Sequence, residues 1–236
     1  MKLYMIRHGQ TTCNVAGKHQ GWGPVSLSEK GFEQARKAKE YVRTVNYDKI
    51  FVSDLLRTRQ TAEILFPEKY RAGELEFTED LREIDTGVFF GRTFDDVYPI
   101  YGDVYLDCRK KMDYSALGGE SSLDVKRRVQ RFLDLVEAME YERLGIKEPD
   151  LGALSPANMK SVNMDNELKR SGELKIAAVA HGGVIRAAAS MIAGFPDDCP
   201  FGYFPLRIFN CSVSVFDFSA KSGRWEIEKL NYTGSL

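Results

Sequence analysis

Lys175-Ile176-Ala177-Ala178-Val179-Ala180-His181-Gly182-Gly183-Val184-Ile185-Arg186-Ala187-Ala188-Ala189 is the stretch that decides the fold. Its apolar run, Lys175–Ala180, has the composition of a strand buried on both faces, as parallel strands are. His181-Gly182-Gly183 makes a tight turn, and the alanine-rich segment after it is helical until about Gly194. Two earlier apolar runs end in the same manner: residues 2–6 stop at Arg7-His8-Gly9, and residues 49–52 stop at Ser53. Between them a helix is predicted, with Ser28 as its N-cap, Leu27 and Phe32 as a hydrophobic staple, and a stripe of Phe32, Ala35, Ala38, Val42 and Val45. A further helix follows over 54–65. Ser121 and Asp124 form a capping-box start to a long helix carrying Val125, Val129, Phe132, Val136 and Met139. Residues 211–218 and 225–230, joined through Lys221-Ser222-Gly223, read as a closing hairpin. Strands alternating with helices predict an α/β chain: a three-layer sandwich whose mostly parallel central sheet is flanked by helices.

The chain has 236 residues, 43% of them hydrophobic and 28% charged, which is the balance of a globular protein and excludes disorder and fibrous repeats. At this length folding buries roughly 70–75% of the surface of the unfolded chain, so the core needs no disulfide or metal. No internal repeat or linker interrupts the sequence, and a single domain over 1–236 is expected. Lys plus Arg total 33 against 34 for Asp plus Glu, so the basic excess needed to neutralise a phosphate backbone is missing and nucleic acid is not an expected partner. No run reaches the ~18 apolar residues of a membrane span. Cys13, Cys108, Cys199 and Cys211 are scattered, and the start MKLYMIRHG has too short an apolar run for a signal peptide, so a cytoplasmic location is expected. Two segments exceed a minimal α/β domain. Residues 89–115 are rich in aromatics and form either a cap over the carboxyl ends of the strands or a helical excursion with its own small core. Residues 148–172 read as a surface insertion with no assigned chemistry.

Two of the three histidines, His8 and His181, directly follow a buried strand and directly precede glycine, where an open α/β sheet places its reactive groups. The helix opening at Gly182 presents unpaired N–H groups and a positive dipole end to an anion. Arg7 precedes His8, and Arg57 lies in the first turn after the second strand. Both forks of N–H donors reach the same place, so the four residues make an oxyanion clamp suited to phosphate. No His, Cys or carboxylate cluster shows the spacing of metal ligands, and neither metal nor cofactor is expected.

The residues then match a known pattern. Arg7-His8-Gly9-Gln10-Thr11 followed by Asn14, Gln20-Gly21-Trp22, Leu27-Ser28-Glu29-Lys30-Gly31, Ser53 through Ala62, Leu81-Arg82-Glu83-Ile84-Asp85, Gly118-Gly119-Glu120-Ser121 and His181-Gly182-Gly183 together resemble the histidine phosphatase superfamily, with its phosphoglycerate mutase-like fold. The resemblance spans nearly the whole chain. It implies that His8 becomes phosphorylated, that Arg7, Arg57, Asn14 and His181 hold the phosphoryl group, and that Gln20, Gly21 and Gly182 line the site. Glu83 would protonate the leaving alcohol and then deprotonate water. The arginines should keep His8 neutral by lowering its pKa. The expected partner is a small-molecule phosphomonoester; the residues carry no signal for oligomeric state.

Within the family, the mutase branch carries an asparagine before its acidic glutamate and an arginine after it. Arg82 and Ile84 stand there instead, which favours the phosphatase branch over a phosphoglycerate mutase. A noncatalytic phospho-ligand-binding protein is the third reading, and it has no need of Glu83. Cys13 lacks a paired base and reads as inert, His19 as a loop residue. Trp22 either walls the pocket or pins its loop, and Glu120 either lines the pocket or caps the helix after it.

Overall fold

The computed structural model describes residues 1–146 and 172–234. The expected insertion at 148–172 therefore falls, Gly172 apart, outside the described residues. In chain order the elements are β1 (Lys2–Arg7), α1 (Thr12–Ala16), α2 (Glu29–Val42), β2 (Lys49–Ser53), α3 (Leu56–Leu65), α4 (Pro67–Ala72), β3 (Glu76–Thr78), α5 (Phe94–Lys111), α6 (Ser122–Leu144), β4 (Lys175–Ala180), α7 (Gly182–Ile192), β5 (Val213–Ser219) and β6 (Arg224–Tyr232). The six strands form one sheet in the order β3-β2-β4-β1-β5-β6. β3, β2, β4 and β1 pair in parallel, and β5 runs antiparallel to both β1 and β6.

Register sets the place of the chemistry. Arg7 lies opposite Ala180 in the β1–β4 ladder, so His8 and His181 leave the sheet side by side at its carboxyl edge. Val52 lies opposite Val179, which puts Ser53 level with Ala180 on the other flank of β4.

The alternation of side chains along each strand divides the core in two. Leu3 and Met5 of β1, with Ile176, Ala178 and Ala180 of β4, face Val125, Val129 and Phe132 of α6 and Val184, Ala187 and Ala188 of α7. Tyr4, Ile6, Ala177 and Val179 face the other way, onto Ala35, Ala38 and Val42 of α2 and Ala62 and Leu65 of α3. Each fully buried aliphatic or aromatic side chain contributes roughly 1.5–3 kcal/mol, and these two layers make the three-layer sandwich expected from the sequence. The caps form as read: Ser28 Oγ accepts from the Gly31 N–H, and Ser121 and Asp124 bond reciprocally in a capping box.

Some boundaries differ from expectation, each for a local reason. α3 begins at Leu56 and not at 54, because Leu55 keeps an extended backbone as its N-cap. The hairpin begins at Val213, because Cys211 sits in the left-handed region at φ +58°. β3 was not anticipated: three residues long and exposed at Glu76 and Phe77, it offers no apolar period. α5 contains Pro99 and is broken at Gly102, φ +49°. Phe89 meets Tyr101, Tyr105 and Tyr114 edge-on at centroid distances of 5.2, 5.0 and 5.9 Å. This aromatic group is continuous with the core beneath α6 and α7, so residues 89–115 do not enclose a core of their own.

Candidate active site

His8 is 2% exposed, and its Nδ1 lies 2.7 Å from the carbonyl oxygen of Gly9. A carbonyl can only accept, so Nδ1 carries the proton and Nε2 keeps its lone pair. The pKa is pushed well below that of free imidazole, first by burial and then by Arg57 and Arg7. The arginines act in the expected direction, but burial is the larger cause. The loop beneath His8 is fixed by contacts distant in sequence: the Gly9 N–H donates to Thr61 Oγ1 (3.2 Å), and Asn210 Nδ2 donates to the His8 carbonyl (2.9 Å).

The His181 ring stands 5.1 Å from that of His8 and takes the opposite tautomer. Arg57 Nε donates to its Nδ1 (3.2 Å), so Nε2 bears the proton and donates to Ser53 Oγ (2.8 Å). Burial, followed by Arg57, also holds His181 well below the usual imidazole range. Two neutral imidazoles therefore sit together.

Arg57 is completely buried; its Nη2 donates to the Gly21 carbonyl at 2.9 Å. Burial draws its pKa down to about 10, against the pull of Glu83, and leaves it cationic at neutral pH. Arg7 donates from Nη1 to the Ile208 carbonyl, while its buried Nε has no partner among the described residues. Burial lowers its pKa as well, again against Glu83, with Arg186 and Arg207 adding to the fall. The groups these guanidiniums bond to are neutral, and Glu83 is a negative group that acts on both.

The Glu83 carboxylate is held over the start of α7, where Oε2 accepts the Gly183 N–H at 3.1 Å. The N-terminus of α7 thus gives one of its free N–H groups to Glu83 instead of leaving them all to an external anion. Glycine at 183 leaves room for this carboxylate: a Cβ there would stand 2.1 Å from Glu83 Oε1 and would displace it. Gly182, just before it, lies against Arg7: a Cβ there would be 3.3 Å from Arg7 Nε.

His8, His181, Arg7, Arg57, Glu83 and Gly182 are thus brought together. Asn14 and Gln20 belong to the layer around them. Asn14 Oδ1 accepts the Thr11 N–H in the capping box of α1, and Gln20 Oε1 accepts from Thr11 Oγ1. Gly21, at φ +44°, contributes the carbonyl that Arg57 grips. Trp22 pins its loop, donating from Nε1 to the Glu83 carbonyl at 2.7 Å. His19 bonds through Nε2 to the Tyr105 hydroxyl at 2.6 Å. Glu120 does not cap its helix, whose N-cap is Ser121; it takes Arg128 in a two-pronged ion pair. Ser53 and Thr61 stand in a quoted motif with no role assigned to them, and Asn210 has no sequence signal. For Ser53 the available signal was its place at the end of a buried parallel strand.

A family model described as histidine phosphatase superfamily (branch 1) matches residues 3–144 and 159–233. The zebrafish (Danio rerio) fructose-2,6-bisphosphatase TIGAR B is 35% identical over 92% of this chain and 86% of its own length. A Yersinia pestis protein named as a phosphoglycerate mutase, GpmB, is 28% identical over 100% of this chain and 95% of its own. Among solved structures, a mycobacterial glucosyl-3-phosphoglycerate phosphatase in complex with VO3 superposes with a TM-score of 0.73 at 28% identity, covering 98% of this chain and 99% of that one. The chain belongs to the histidine phosphatase superfamily, branch 1.

Proposed function

We propose that this protein hydrolyses small-molecule phosphomonoesters through a phosphohistidine formed on His8. The observation that carries the reading is the neutral His8 imidazole, with its Nδ1 proton tied to Gly9 and its Nε2 lone pair free beside two buried guanidiniums. His8 Nε2 attacks phosphorus in line, the bond to the ester oxygen breaks, and protonated Glu83 gives its proton to the leaving alcohol. Glu83, now a carboxylate, takes a proton from water as that water attacks the phosphohistidine, which releases inorganic phosphate and regenerates neutral His8. Arg7 and Arg57 stabilise the equatorial oxygens, the main contribution available in phosphoryl transfer.

A mutase reading gains nothing from the residues that flank Glu83. Arg82 is committed to Asp54, with Nε 2.7 Å from Oδ1, and Ile84 is buried in the core. Arg186 and Arg207 add positive charge near Arg7. This favours esters carrying a second anionic group, the class named for the bisphosphatase and phosphoglycerate phosphatase relatives. Continuity of the aromatic segment 89–115 with the α6–α7 core supports reading the chain as one domain with that segment beside the site. The cysteines at 13, 108, 199 and 211 are free, the state a reducing cytoplasm would keep, and no described helix is long and apolar enough to cross a membrane. Rapid-quench labelling with a radioactive phosphomonoester tests the proposal. An acid-labile, base-stable adduct on the peptide containing His8, absent from His8→Ala, is expected; label on Cys13 or His181 overturns it.

A further inference from the structure

Glu83 stands on a loop with little regular structure, just after a short 3-10 turn, Glu79–Leu81. A proton donor on such a loop is only as well placed as the contacts that hold its backbone. Besides Trp22, which donates to the Glu83 carbonyl, those contacts run through one buried side chain, Arg128 of α6, which is 7% exposed. Its Nη1 donates to the carbonyls of Asp80 (3.1 Å) and Arg82 (2.9 Å), and its Nη2 reaches the carbonyl of Glu83 itself at 3.5 Å. The rest of the guanidinium is fixed by Glu120, with Nε 2.9 Å from Oε1 and Nη2 2.8 Å from Oε2. Glu120 completes the clamp: its Oε2 accepts the Asp85 N–H and its own N–H donates to the Asp85 carbonyl, both at 3.0 Å. The backbone is thus held just before and just after Glu83.

We propose that the Arg128–Glu120 pair is a positioning device for Glu83, setting the height of its carboxylate above the phosphoryl group. This rests on the reading of Glu83 as proton donor. Stability alone explains the pair poorly, because a buried ion pair is roughly neutral against an apolar replacement of similar shape. What it supplies is direction, since a planar fork can bind a carboxylate and successive carbonyls at once. A lysine ammonium cannot.

The test uses Arg128→Lys and Glu120→Gln, the latter retained as the milder change should the former fail to fold, with thermal melts run on both. Single-turnover phosphorylation is measured with a sugar phosphate, whose alkoxide needs a proton, and with nitrophenyl phosphate, whose phenolate does not. We expect the sugar phosphate step to slow on the order of 10²-fold, as for a misplacement of about 1 Å, while the nitrophenol burst changes only a few-fold. In a Glu83→Gln background the same substitutions should add almost nothing, since the pair acts through Glu83. Equal slowing with both leaving groups, or the full extra loss in the Glu83→Gln background, overturns the positioning role. If Glu83→Gln alone slows both substrates equally, the proton-donor reading fails first and takes this proposal with it.

Discussion

Adding one methyl group at Gly183 should separate catalysis from stability. The backbone of Gly183 is helical with a negative φ, so alanine is sterically allowed, and in a helix it is preferred to glycine by up to about 1 kcal/mol. The new Cβ would, however, lie 2.1 Å from Glu83 Oε1, 3.0 Å from Glu83 Cδ and 3.3 Å from a ring carbon of Phe201. Restoring ordinary van der Waals distance requires the carboxylate to retreat by roughly 1 Å. Arg128, Glu120 and Trp22 hold the loop backbone, so the side chain gives way by rotating off its rotamer, at a cost of about 0.5–1.5 kcal/mol. Gain and cost nearly cancel, and the melting temperature of Gly183→Ala should stay within about 4 °C of the parent. Catalysis does not cancel. Misplacement by about 1 Å costs on the order of 10² in rate, and it falls on the step where the alcohol is protonated. Steady-state and single-turnover assays with a sugar phosphate and nitrophenyl phosphate, alongside a thermal melt, measure both quantities. A folded Gly183→Ala that retains full activity on the sugar phosphate would refute the assignment of Glu83 and the reason given for glycine at this position.

Arg57→Lys keeps the charge but cannot grip His181 and the Gly21 carbonyl together, and it should lower the rate by about 10²–10³, as loss of a preorganised oxyanion donor does; a loss under tenfold would show that charge alone suffices. His8 and His181 have depressed folded pKa values, so unfolding takes up protons below the free imidazole value of about 6.5. Stability should be at its full value above pH 6.5 and fall below it by up to about 1.4 kcal/mol per pH unit for each histidine, with His19, lowered by burial and Arg109, acting in the same direction. Denaturant melts from pH 7.5 to 5 read this slope, and His8→Asn should reduce it. Turnover should persist in excess chelator, because among the described residues no three His, Cys, Asp or Glu side chains could hold a metal ion; loss restored by a divalent cation contradicts this.

What the sequence made legible followed from local rules. Lys175–Ala180 is a strand because a short apolar run between turns has few alternatives, and Ser28 and Ser121 mark helix starts because their side chains satisfy N–H groups a few residues away. Arg7, His8 and His181 were legible because they end such strands. The roles of Ser53, Thr61 and Asn210 were not, because their partners are remote: Ser53 meets His181, and Asn210 meets His8. Glu120 hides its ion pair for the same reason. Within its motif it resembles a cap or a pocket wall, and its partner Arg128 becomes visible only when α6 lies against the loop of Glu83. The three-residue β3 and the break at Gly102 carry no periodic signal at all.

The position of β1 inside the sheet has a consequence for how the molecule comes into being. Lys2 lies opposite Lys175 on one side and Asp217 on the other, so the strand that ends at Arg7 and leads into His8 must wait for neighbours far along the chain. Contacts this remote in sequence close slowly. A growing or refolding chain must carry this apolar strand with both edges open until β4 is available and with one edge open until residues beyond 213 are, and such a strand is prone to pair with other chains. Refolding yield should therefore fall steeply with protein concentration, and the chain should become active only in the final folding phase, when β5 docks and Asn210 takes hold of the His8 carbonyl.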